Sequence, residues 1–126
     1  MDALRTALGA ACLVYGVVFG VAALLHAGVV VVPPGQPVNV WAAIVETLCA
    51  GAMFAGGHGA LTRRRWAWDG LIYAHAAALS GVLLGILAVA LGPGESTALL
   101  DWYHRSAAVL LALGLGGAFY VSRVRR

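Results

Sequence analysis

Residues 68–91 read WDGLIYAHAAALSGVLLGILAVAL, a stretch with one charged side chain, Asp69, and one imidazole, His75. Held as a helix at 1.5 Å per residue, such a stretch crosses the ~30 Å of hydrocarbon in a bilayer. Its apolar residues run on without the alternation of a barrel strand, so it predicts a membrane-spanning helix. Three further segments of the same kind surround it. Span one covers residues 4–32 and is stopped by Pro33, Pro34 and Pro37, which cannot continue a helix. Span two, 39–62, takes Asn39 as its N-cap and ends before Arg63, Arg64 and Arg65. Span three is broken by Gly92-Pro93-Gly94, and span four, 97–121, is capped by Ser96 or Thr97. The chain therefore predicts an all-α, four-helix transmembrane bundle of up-down-up-down order, one domain over residues 1–126.

Composition leads to the same class. The 126 residues are 62% hydrophobic and 10% charged, far from the balance of soluble domains. The apolar run over residues 6–32 is too long for the core of a secretory signal and reads as a retained first span. All eight basic residues are arginine and the pI is about 9.3, yet no basic stripe with interleaved aromatics exists, which excludes nucleic-acid binding. Instead the arginines mark orientation. Arg5, Arg63 to Arg65 and the C-terminal Arg123, Arg125 and Arg126 fall on one side, and Arg105 alone lies towards the other. The positive-inside bias puts both termini in the cytoplasm and the chain in the cell's inner (plasma) membrane, with Trp66 and Trp68 at the inner interface and Trp41 and Trp102 at the outer.

Small residues and cysteines have structural readings. Gly16 and Gly20, and Gly81 and Gly85, are GxxxG pairs that let helices approach closely, within the chain or against a membrane partner or a second copy. Cys12 and Cys49 lie at different depths in separate spans and read as small buried hydrophobes, with no disulfide between them.

Chemistry is concentrated in four histidines, one per span, and one acid. By depth, His26, Glu46 and His104 share an outer layer, while His58 and His75 share an inner one. Three functions fit. The first is electron transfer through b-type haem: His26 and His104 ligate an outer haem, His58 and His75 an inner one, from spans adjacent in a closed ring. Arg105 outside and Arg63, Arg64 and Arg65 inside are then available to the propionates, and Asp101 to orient His104. The second is a metal site of His26, Glu46 and His104, a two-histidine, one-carboxylate set with room for an open position. The third is a proton-coupled carrier centred on Glu46, since an ionisable group inside a span marks a substrate or proton path. Small multidrug exporters share this length and span number but carry their essential acid in the first span, so that group is discounted. Against all three stands a cofactor-free accessory subunit whose histidines only bridge helices.

At Thr97-Ala98-Leu99-Leu100-Asp101-Trp102-Tyr103-His104-Arg105 the chain resembles small four-span membrane proteins of actinobacterial type, in which an Asp-x-Tyr-His-Arg start opens the last helix. The similarity extends back through Ala74-His75 and the Gly81–Gly85 segment, about the C-terminal half, and implies a four-span fold without an assigned activity. The paired histidines are also similar in layout, though not in motif, to cytochrome b561-like bundles, which implies haem.

Overall fold

The computed structural model describes residues 2–29, 38–92 and 98–124, with the side chain of Leu99 excepted. They form four helices: α1 Asp2–His26, α2 Val40–Leu61, α3 Ala67–Leu91 and α4 Ala98–Val124. Each is long and apolar enough to cross a membrane. The prolines after span one, Pro93-Gly94, Ser96, Thr97 and Arg125-Arg126 lie outside the described residues.

Local sequence sets the ends. Asn39 caps α2 as expected, its Oδ1 accepting from the Ala42 N–H at 3.1 Å. The Asn39 N–H donates in turn to the His26 carbonyl at 2.9 Å, which staples the start of α2 to the end of α1. Span one ends six residues earlier than its hydropathy predicts. Gly28 adopts φ +73, the Gly28 N–H returns to Leu25 and the Val29 N–H to Leu24, both at 3.1 Å. This Schellman arrangement needs the left-handed conformation that glycine takes without steric cost, and it stops the helix at His26. At the other end of the bundle Trp66, just before α3, wedges its indole between Gly59 and Gly70.

Sequential helices pack antiparallel through notches at small residues. On α1 and α2, Gly9 meets Ala60 and Leu61, Gly57 meets Cys12 and Leu13, and Gly16 meets the Phe54 ring. On α2 and α3, Gly56 lies against Gly70 and Ala74, and Gly81 against Cys49. The sealed centre is made by Cys12, Met53, Leu71, His75 and Leu111, drawn from all four helices. Both cysteines are free and buried, consistent with packing rather than a bridge. Outside, α1 exposes Val14, Val17, Val18, Val21 and Leu24, a surface that suits lipid and not water.

The ring predicted from the sequence is not closed evenly. α1 packs extensively on α2 and only sparsely on α4. The glycines agree with this: a Cβ added at Gly20 on α1 or at Gly116 or Gly117 on α4 would meet nothing within 4 Å, so none of them serves as a notch between these helices. Of the first GxxxG pair only Gly16 is used, whereas both Gly81 and Gly85 receive a neighbour's side chain.

Candidate functional site

The Schellman end and the Asn39 staple bring the last residue of α1 beside the second turn of α2. There His26 Nδ1 and Glu46 Oε2 lie 2.7 Å apart, with side chains 21% and 14% exposed. A proton between them is held by either group, as an imidazole N–H donating to a carboxylate or a carboxyl O–H donating to the ring. Such an interhelical bond contributes on average about 0.6 kcal/mol inside a membrane.

α4 brings two more side chains to this layer. His104 is half-buried and lies within electrostatic reach of His26. Its Nδ1–H donates to the Leu100 carbonyl at 3.0 Å, so the backbone orients the ring and Asp101 is not needed for that bond. Asp101 Oδ2 instead accepts from Arg105 at 3.1 Å. The Nε2 edge of His104 lies against Gly85 of α3, where a Cβ would come within 2.7 Å of it. Tyr103, stacked edge-on to His104 with centroids 5.4 Å apart, is within electrostatic reach of Glu46. Its hydroxyl is buried and has no hydrogen-bond partner among the described residues. Sequence reasoning passed over Tyr103, although its place next to His104 was the available signal.

The inner layer has a different construction. His75 is 1% exposed. Its Nδ1–H donates to the Leu71 carbonyl at 2.8 Å, with Cys12 Sγ at 3.9 Å from the same nitrogen. The Tyr15 ring stands edge-on to it at 6.4 Å, and Gly114 of α4 closes over the Nε2 edge. His58, the expected partner, is exposed. It lies five residues beyond the buried Met53, about 140° around the helix at 3.6 residues per turn, so it points away from the bundle. His58 and His75 therefore do not face each other, and an inner haem held between them does not fit this fold.

The arginines are peripheral. Arg63, Arg64 and Arg65 are exposed in the α2–α3 turn, with Arg63 at φ 55, and Arg105 is exposed on α4. Arg5 pairs with Asp2 at 3.2 Å. Among the described residues no three His, Cys, Asp or Glu side chains form a set that could hold a metal ion, so His26, Glu46 and His104 do not assemble as the three-ligand site their spacing suggested.

Comparison with known protein families, curated proteins and solved structures finds no match. The four apolar helices fit a small membrane bundle, and no relative supports the resemblance to actinobacterial four-span proteins or to cytochrome b561-like bundles.

Proposed function

We propose that the protein is a proton-coupled carrier of the inner membrane, both termini cytoplasmic, whose working site is Glu46 with His26 and His104. The observation that supports this reading is the 2.7 Å contact between His26 and Glu46, half-buried at one end of the bundle. A carboxyl and an imidazole in contact pass a proton between them with little movement, and a small cation takes the carboxylate when the proton leaves. The orientation rests on Arg5, Arg63 to Arg65 and Arg123 at the opposite end. The test is proton flux into proteoliposomes carrying a trapped pH-sensitive dye. Wild-type protein gives flux, and Glu46→Gln, still helical and monodisperse in detergent, gives none; equal flux from both refutes the carrier.

A second reading, b-type haem for electron transfer, has its own support. A histidine whose Nδ1–H is already engaged presents Nε2 as its metal-binding atom, and His26 and His104 both have Nδ1 engaged, although the His104 Nε2 edge has to leave the Gly85 notch to reach iron. That limits the haem to the outer pair, with Arg105 available to a propionate. A reduced-minus-oxidised visible spectrum of protein expressed with haem separates the readings: sharp α and Soret bands favour haem, and a colourless active sample removes it. Membrane partners or a second copy, in either case, pack where Gly20, Gly51, Gly116 and Gly117 leave open surface.

A further inference from the structure

His75 and His104 are related by more than burial. A shift of 29 residues carries Leu71 onto Leu100, His75 onto His104 and Gly85 onto Gly114, so the pattern Leu-x3-His-x9-Gly occurs twice, once on each of two antiparallel helices. The structure repeats with the sequence. In both copies the histidine Nδ1–H donates to the leucine carbonyl four residues back, at 2.8 Å for His75 and 3.0 Å for His104. In both copies the Nε2 edge then enters the notch at the glycine of the other helix, His75 at Gly114 and His104 at Gly85. Each glycine is the one that closes the other copy's motif. Two antiparallel helices joined by such reciprocal contacts are related by a pseudo-two-fold axis in the membrane plane, the symmetry of inverted repeats.

The copies differ in their surroundings. His104 is half-buried in the layer of His26, Glu46 and Tyr103. His75 is ten residues from Gly85 along α3, about 15 Å deeper by helical rise, and is sealed. Its Nε2 is buried with no hydrogen-bond partner among the described residues. A bare acceptor of this kind costs about 1–3 kcal/mol, so a group that only packed would be better replaced by an apolar side chain. The titratable side chains against it are Cys12 and Tyr15 of α1, and α4 faces it with Gly114.

We propose that α3 and α4 form an inverted repeat in which His75 is a second proton-accepting site, the counterpart of His104 on the opposite half of the membrane. A proton from the aqueous side adds to the Nε2 lone pair, the ring gains one positive charge, and the Nδ1–H bond to the Leu71 carbonyl is kept. In this structure the His104 copy is half-buried and the His75 copy sealed; exchange of the two environments across the pseudo-two-fold gives a state that admits the proton from the other side. The assignment of direction rests on the carrier reading, while the existence of the second site does not.

The experiment is ring ¹⁵N NMR of the full chain in lipid nanodiscs, with histidine labelled and the signals of His75 and His104 assigned by His75→Gln and His104→Gln. Both rings are expected as the Nδ1–H tautomer at high pH, and both bare Nε2 signals are expected to move to protonated positions as pH falls, with the protein still folded. A His75 signal that stays in place while His104 titrates overturns the second site. If His75→Gln does not fold, Cys12→Ala assigns the signal through its change of neighbour. Proteoliposome flux is the second arm: His75→Gln is expected to lose flux while His104 still titrates, and flux unchanged in His75→Gln overturns the inward role. Flux unchanged in Glu46→Gln refutes the carrier reading alone and leaves the ring titration to decide the site.

Discussion

The two polar layers use one kind of histidine in two ways. In the outer layer His26 meets a carboxylate, His104 brings Tyr103 with it, and the side chains of His26 and Glu46 remain partly accessible. In the inner layer His75 stands among Cys12, Tyr15 and Gly114 with almost no surface. The acid makes the difference. Glu46 gives the outer layer a second proton-holding group in contact with an imidazole, whereas His75 has a thiol and a phenol beside it among the described residues. What this teaches is that equal residue type does not make equal sites; the contact partner and the degree of burial decide.

Substitutions that remove the contrast test it most strongly. Glu46→Gln keeps the shape of the outer layer and takes away its exchangeable carboxyl proton, so all dye-detected proton flux is expected to vanish while helicity stays. His58→Gln, on the outward face of α2, is the matched control and is expected to leave flux intact in the same assay. Next in size are the glycine notches. Gly85→Ala and Gly114→Ala put a methyl group into an imidazole and force α3 from α4, with an expected loss of about 1–3 kcal/mol, the range of overpacked cores. Gly20→Ala and Gly116→Ala meet nothing within 4 Å and are expected to stay within about 0.5 kcal/mol, both read from reversible unfolding in detergent. His26→Ala is smaller than the notch variants, an expected loss of about 0.6–1.7 kcal/mol for one interhelical hydrogen bond. Smallest is Arg105→Ala. Its pair with Asp101 is exposed, so a change of no more than about 0.5 kcal/mol is expected.

Much of the fold was readable because a bilayer imposes one demand, continuous apolar helix, that composition reveals directly. The Asn39 cap followed from ordinary capping chemistry. The early end of α1 was missed because hydropathy continues through residues 27–32, whereas backbone geometry ends the helix at Gly28; a glycine two residues past His26 was the signal. The direction of His58 was also available, since Met53 and His58 differ by 140° on any helix. What the sequence does not contain is helix-to-helix register. Without it the depth argument grouped His58 with His75, closed the ring between α1 and α4, and gave Asp101 the role that the Leu100 carbonyl fills. The sequence left Glu46 two partners in its layer, His26 or His104, and the choice of His26 depends on the staple from Asn39.

The contacts that hold these groups also fall into two sets along the chain. His26 finds Glu46 within α1 and α2, and the histidine–glycine pairs close within α3 and α4. Each half of the polypeptide thus encodes a hairpin with a polar contact of its own, while Cys12 and Tyr15 of the first half reach His75 of the second. Cut at the Arg63–Arg65 turn and expressed as two fragments, the halves are expected to insert separately and find each other through Gly56, Gly81 and the indole of Trp66, giving a split protein whose reassembly can be selected for in living cells.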